Sequence, residues 1–221
     1  MSGSWHEEVE LKLGLACPAD LPLLMARLPE PQSLITQLNH YYTDRSGVLD
    51  SKRVMVRVRE ESESESETLL RVVLTVKCRA VTRDAVFRAS EFEVALEPGQ
   101  WSGVGLPLTA LPAAVADAFD RMDVHLGGEA LQYLGCLRNQ RRRVGVDGFI
   151  LEVDSSEFPD GSVDVEVEVE TDRPRAARAM LNALAKSCGI SLYGQTTGKY
   201  ARFRASCARA AWEASEESDG A

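Results

Sequence analysis

The chain has 221 residues, enough for one large domain or two small ones, and its 44% hydrophobic and 27% charged content is that of an ordinary soluble globular protein. Its 34 acidic against 25 basic side chains give a formal net charge of -9. A uniform surface of that sign repels nucleic acid and anionic membranes and suits a protein that holds divalent cations.

The first residues, Met1-Ser-Gly-Ser-Trp-His-Glu-Glu8, carry neither a basic nor an apolar leader region, so no signal peptide is expected. No run of about 18 apolar residues predicts a membrane-spanning helix. The five cysteines (Cys17, Cys78, Cys136, Cys188, Cys207) are scattered and form no Cys-x-x-Cys pair, which predicts reduced thiols in a cytoplasmic protein.

Period-two alternation starts at once, with Val9, Leu11 and Leu13 set against Glu8, Glu10 and Lys12. A short apolar helix is predicted over Asp20 to Leu28. Val54, Val56 and Val58 alternate with Met55, Arg57 and Arg59. The run Glu60-Glu-Ser-Glu-Ser-Glu-Ser-Glu67 is polar and self-repelling, and reads as a mobile loop at a hairpin tip. Alternation resumes with Val72, Leu74 and Val76 around Lys77, then with Phe92 and Val94 beside Glu91 and Glu93. Leu106 to Met122 reads as a helix whose start is left open by Pro107 and Pro112. Leu151 and Val153 alternate with Glu152 and Asp154, and Val163 to Val169 with Asp164, Glu166, Glu168 and Glu170. The clearest helix is Arg173 to Cys188: Thr171 or Asp172 can cap it, Pro174 suits its first turn and Gly189 its end. Residues 5–206 are expected to form the domain, and 207–221 an acidic, fraying tail.

A polar strand face ordinarily meets solvent. Here the charges segregate by strand. Glu8/Glu10, Glu91/Glu93, Glu152/Asp154 and Glu166/Glu168/Glu170 are nearly pure acid, whereas Arg57/Arg59 and Lys77 are basic. Like charges two residues apart share a face and repel. A solvated face gains nothing from that segregation. A site that holds cations beside a polyanion requires it: carboxylates for metals, guanidinium and ammonium groups for phosphates. A closed sheet with a charged interior is therefore expected, its apolar faces covered by helices. A transmembrane barrel has the same polarity, but the aromatic girdles are missing and helices are predicted.

Glu8-x-Glu10-x-Lys12 resembles the ExExK signature of the CYTH, or triphosphate tunnel metalloenzyme, superfamily. Further segments resemble that family in order: Asn39-His-Tyr-Tyr-Thr-Asp44, Val54-Met-Val-Arg-Val-Arg59, Leu74-Thr-Val-Lys77, Phe87-Arg-Ala-Ser-Glu-Phe-Glu93, Asn139-Gln-Arg141 with Gly148-Phe-Ile-Leu-Glu-Val-Asp154, Glu166-Val-Glu-Val-Glu170 and Lys199-Tyr200. The likeness spans residues 8 to 204 and is greatest to the compact plant-type triphosphatases. One departure is Thr43, which stands where the family has an aspartate, with Asp44 one place later.

The resemblance implies an α+β fold: a closed eight-stranded antiparallel β-barrel, or tunnel, with a charged lumen and helices packed outside. It implies Mg2+ or Mn2+ as cofactor and a small-molecule triphosphate as the partner, with no nucleic acid and no membrane; a monomer or weak homodimer is expected. Lys12, Arg57, Arg59, Lys77, Arg141 and Lys199 are the implied phosphate-binding residues. Glu8, Glu10, Glu91, Glu93, Asp154, Glu166, Glu168 and Glu170 are the implied metal ligands, the choice within each pair being open. Glu8 and Glu10 with Glu168 or Glu170 would form a first metal site. Asp154, Glu91 or Glu93, and Glu166 or Glu168 would serve a second metal or the attacking water. Lys199, Glu8 and Asp154 are assigned catalytic roles. Lys12 is read as touching a phosphate or pairing with the acidic ring, and Glu93 and Glu152 also admit simple pairing with a neighbouring arginine. Hydrolysis of inorganic tripolyphosphate is the expected activity. Thiamine or nucleoside triphosphate hydrolysis, a class IV-type adenylyl cyclase and a non-catalytic polyphosphate-binding module are the alternatives.

Overall fold

The computed structural model describes residues 3–97, 100, 101, 103, 106–128 and 130–219. Nine strands form one sheet: β1 Ser4–Leu15, β2 Ser33–Thr43, β3 Met55–Glu63, β4 Leu69–Arg83, β5 Val86–Ala95, β6 Gln132–Val146, β7 Phe149–Glu157, β8 Val163–Glu170 and β9 Leu192–Gly194. The helices are α1 Leu21–Met25, α2 Val48–Lys52, α3 Ala113–Arg121, α4 Pro174–Cys188 and α5 Lys199–Asp219. The hydrogen-bonded order is β5-β4-β3-β2-β6-β7-β8-β1-β9, and β5 also pairs with β1. Eight strands therefore close into an antiparallel barrel, with β9 appended to β1. No helix among the described residues is long and apolar enough to cross a membrane.

The chain divides into two compact units, residues 1–8, 37–81 and 88–136 in the first and 9–36, 82–87 and 137–221 in the second. Each has its own core. In the first, Val56 and Val58 of β3, Leu74 and Val76 of β4, and Phe92 and Val94 of β5 pack with Val115, Ala118 and Phe119 of α3. In the second, Leu11 and Leu13 of β1, Leu151 and Val153 of β7, and Val165, Val167 and Val169 of β8 pack with Leu24 of α1 and Ala177, Leu181 and Ala185 of α4. In these strands alternate apolar residues thus pack with a helix, and each fully buried Val or Leu contributes on the order of 1.5–3 kcal/mol. The intervening charged residues are left on the opposite face of the wall.

Two turns fix this pattern locally. Asp147 and Gly148 both have positive φ (48° and 76°) and join β6 to β7 in a two-residue loop, which matches the twist of the hairpin. Gly189 adopts the left-handed conformation (φ 70°) that ends α4. At the other end of α4 the Arg173 backbone N–H donates to the Thr171 hydroxyl at 2.9 Å, so Thr171 rather than Asp172 supports the entry.

Some elements depart from the sequence reading. Glu60 to Glu63 belong to β3, and only residues 64–68 form the hairpin tip. The reason lies in Glu61, which is 3% exposed and held by Arg71, Gln37 and Arg59. The helix expected over Leu106 to Met122 starts at Ala113, after Pro112. Residues 207–219, read as a fraying tail, continue α5. Asp44 has a structural place: it accepts hydrogen bonds from the Ser46 hydroxyl (2.6 Å) and from the backbone N–H groups of Val48 and Leu49 (both 2.8 Å), which sets the start of α2.

Candidate active site

In the second unit the strand register brings the charges together. Lys12 of β1 lies opposite Glu168 of β8, Glu168 opposite Glu152 of β7, Asp154 of β7 opposite Glu166 of β8, and Arg141 of β6 opposite Asp154. Lys12 Nζ donates to Glu168 Oε1 at 2.7 Å and pairs with Glu10 Oε2 at 2.7 Å. Arg141 donates from Nε to Asp154 Oδ1 (2.8 Å), from Nη2 to Asp154 Oδ2 (2.6 Å) and to Glu168 Oε2 (2.6 Å), and it also pairs with Glu152. Lys199, the first residue of α5, reaches Asp154 Oδ2 at 2.6 Å, Glu166 Oε1 at 2.8 Å and Glu168 Oε1 at 3.6 Å. One helical turn on, Arg202 holds Glu166 Oε2 at 2.7 Å and Asp164 at 3.2 Å.

This cluster is buried and strongly polarised. Asp154 is 0%, Glu166 1% and Glu168 3% exposed, a burial that carboxylates tolerate only when charge partners surround them. Burial alone would raise the Asp154 pKa, but Arg141 and Lys199 outweigh it and bring the carboxyl down to about 2. Glu168 is likewise held well below the ordinary carboxylate range by Lys12, Lys199 and Arg141 against the pull of burial. Glu152 goes the other way: burial, with the neighbouring Glu168 and Asp154 charges, outweighs Arg141 and Arg143 and raises it. Burial would lower Lys199, but Asp154, Glu166 and Glu168 raise it above its ordinary value. Asp154 and Glu168 are thus fixed anions, suited to holding cations.

The first unit has a second, smaller set. Lys77 of β4 pairs with Glu8 of β1 and with Glu91 Oε1 of β5 (2.5 Å). Arg57 of β3 donates to the Thr75 hydroxyl (3.1 Å) and lies 3.9 Å from Glu93; Thr75 in turn donates to Glu93 (3.0 Å). Arg59 donates to the Asn39 side-chain carbonyl of β2 at 2.9 Å and lies 3.5 Å from Glu61. Burial would raise Glu91, but Lys77, Arg57 and Arg59 hold it below its ordinary value.

Among the described residues, two groups of carboxylates could hold a metal ion, Glu10/Glu152/Glu168 and Asp154/Glu166/Glu168. The ligand oxygens in each lie within 4.8 Å of one another. Both sets offer oxygen alone, the donor that hard cations such as Mg2+ and Mn2+ select. An octahedral ion with bonds of about 2.1 Å spaces its ligand oxygens by about 3.0 to 4.2 Å. Small side-chain shifts bring either group into that range, so the residues fit such an ion.

Residues 6–198 match the CYTH domain model. The chain belongs to the CYTH family. Among solved structures, the candidate adenylyl cyclase HpAC1 from Hippeastrum, described as having a dominant triphosphatase activity, is 25% identical. Its TM-score is 0.76, over 90% of this chain and 95% of that one. A candidate adenylate cyclase from Bacillus halodurans is 20% identical, with a TM-score of 0.61 over 89% of this chain and 98% of that one. The PH1819 protein from Pyrococcus horikoshii, 17% identical with a TM-score of 0.54 over 86% of this chain and 94% of that one, shares the fold. No curated protein matches. CYTH proteins are metal-dependent triphosphatases or cyclases, and the chain is an enzyme of that family.

Of the residues singled out from the sequence, this CYTH chain gathers Glu10, Lys12, Arg141, Asp154, Glu166, Glu168 and Lys199 in the second unit. Glu8, Arg57, Lys77, Glu91 and Glu93 lie in the set of the first, where Glu8 and Glu91 are held by Lys77. Arg59 is engaged by Asn39 and Glu61. Glu170 is exposed at the end of β8 and enters neither carboxylate group. Glu152, which the sequence also reads as pairing with a neighbouring arginine, pairs with Arg141 and Arg143, and Arg202 is the member of the second-unit cluster that the sequence reading does not name. Glu152 shares a strand face with Asp154, a signal that period two contains. Arg202 stands three residues after Lys199, the spacing of neighbours on a helix, and would have been found had α5 been recognised.

Proposed function

We propose that the chain hydrolyses a short linear triphosphate, inorganic tripolyphosphate foremost, with Mg2+ or Mn2+. The observation that carries the reading is Glu168: it belongs to both carboxylate groups and is contacted at the same time by Lys12, Arg141 and Lys199. A site built only to hold metal has no need of three cations on its shared ligand. A site built only to bind phosphate has no need of five carboxylates.

The substrate brings about four negative charges in a short chain, and arginine forks and lysine ammonium groups are the side chains that neutralise and orient it. Arg141 is tied to Asp154 through two parallel hydrogen bonds, and its role is to keep the carboxylates of β7 and β8 in register with the cationic face. Lys12 and Lys199, point charges on flexible stems, are the groups that can exchange a carboxylate for a phosphate oxygen. A divalent cation bound by the carboxylates supplies charge neutralisation and acidifies a water. Phosphoryl transfer asks little more of the protein than position and charge. Similarity to HpAC1 supports the triphosphatase over the cyclase reading, and burial of the cluster supports a small, fully ionised substrate.

The test is release of orthophosphate from tripolyphosphate, ATP and thiamine triphosphate with Mg2+ or Mn2+, alongside an assay for cyclic AMP. Tripolyphosphate is expected to turn over fastest. Preference for ATP or thiamine triphosphate moves the substrate to an organic triphosphate, and formation of cyclic AMP overturns the hydrolase reading.

A further inference from the structure

Three carboxylates, Asp154, Glu166 and Glu168, surround the Lys199 ammonium, and the same three form one of the two oxygen groups able to hold a metal ion. Their oxygens are presented to whichever cation is in the cage. A divalent charge placed among these three carboxylates would repel the Lys199 ammonium, which contacts all three of them, because Coulomb repulsion grows as separation and dielectric fall. Lys12 reaches only Glu168 of the three, and the two arginines of the cluster are less free to leave. Arg141 lies within a central strand and is locked to Asp154, Glu168 and Glu152. Arg202 is fixed to Glu166 and Asp164 with its guanidinium over the Phe158 ring, and the neighbouring Phe203 is 0% exposed. Lys199 is the first residue of α5 and follows Gly198. Its four-carbon stem can reorient without moving the helix that Arg202 and Phe203 keep docked.

We propose that Lys199 is a displaceable stand-in cation. Its ammonium neutralises the Asp154–Glu166–Glu168 cage when no metal is bound, and a divalent cation expels it, freeing it for a phosphate oxygen of the substrate. Metal loading and substrate capture are thereby linked through one side chain. Without metal, Lys199 is tied up and the phosphate-binding face lacks one charge. This rests on the metal-dependent reading of the site given above.

The experiment measures Mn2+ binding to the full chain, without substrate, by titration calorimetry at pH 7.5. It compares the wild type with Lys199→Met and with Lys52→Met, which removes the same charge from an exposed ion pair with Asp123. Lys199→Met is expected to bind Mn2+ about tenfold more tightly, since the competing cation is gone, and Lys52→Met to match the wild type. In parallel, amine acylation of the wild type followed by peptide mass spectrometry is expected to modify Lys199 several-fold faster with Mn2+ than without. This second readout decides alone if Lys199→Met does not fold. Mn2+ binding with unchanged affinity in Lys199→Met, or with unchanged Lys199 acylation, overturns the inference and leaves the proposed function standing. Absence of Mn2+ binding in every protein overturns the metal reading and this inference with it.

Discussion

Arg141 and Asp154 face each other directly across the β6–β7 hairpin and are joined by two parallel hydrogen bonds of 2.8 and 2.6 Å, with Asp154 completely buried. A buried pair of this kind holds its surroundings in one arrangement, and its loss is costly because one charge is stranded. Arg141→Met, which leaves Asp154 to Lys199 alone, is expected to lower the unfolding free energy by about 3–5 kcal/mol in urea titrations. The double change Arg141→Met/Asp154→Leu is expected to regain a good part of that stability and no turnover. A double variant as unstable as the single one would show that stranding of Asp154 is not the cause.

Glu168 and Glu170 test the assignment of the acidic face of β8. Glu168→Gln removes an oxygen donor common to both carboxylate groups, and turnover of tripolyphosphate is expected to fall at least about 100-fold. Glu170→Gln alters an exposed strand end and is expected to stay within about twofold, since surface substitutions are usually small in effect. Steady-state kinetics of the two proteins under identical Mn2+ decide this, and equal losses would return Glu170 to the site.

Acid stability has an identifiable source away from the carboxylate cluster. Burial would raise Glu61, but Arg71, Arg59 and Gln37 hold it below its ordinary value of 4.5. A carboxyl with a depressed folded-state pKa stabilises the protein at pH values above its unfolded pKa. That contribution is lost as pH falls through the folded value. Glu61→Gln is therefore expected to be less stable than the wild type at pH 7, by about 1–3 kcal/mol. The gap should close below pH 4.5 as the wild-type carboxyl takes up its proton. Denaturant midpoints measured from pH 7 to pH 3 check this, and a gap independent of pH would assign the effect to packing.

Asp44, one place after Thr43, holds the start of α2. Its carboxylate accepts from Ser46, Val48 and Leu49, and these bonds, acting against burial, lower its pKa. Asp44→Ala is expected to cost about 1–2 kcal/mol, the usual loss for a helix-capping side chain, with turnover unchanged. Thermal unfolding and a tripolyphosphate assay on the same preparation separate the two effects.

Strand alternation made the wall of the barrel legible, because Val and Leu at every second position leave little choice of face. The same alternation exposed Glu10, Lys12, Asp154, Glu166 and Glu168 as one chemical system. What spacing does not contain is register. Whether Glu168 or Glu170 stands opposite Lys12 depends on how β8 slides against β1, and only the fold decides it. Glu61 was hidden for another reason. Its run of Glu and Ser has the composition of a loop, and the compensating Arg71, Arg59 and Gln37 include two partners at least ten residues away. α5 was obscured by the acidic composition of its second half, although the alanines between Ala201 and Ala211 favour a helix.

The two-residue turn at Asp147-Gly148 sits far from the charges along the strand, yet it acts as their counter. Numbered outward from the turn, Val146 and Phe149 are the first pair and Arg141 and Asp154 the sixth. Adding or removing a single residue in the turn would bring a neighbour of opposite facing beside Arg141 while leaving the hairpin's backbone bonds available. The turn is thus intolerant of insertions although nothing in it touches the cluster, and variation in its length should be far rarer than variation in its side chains.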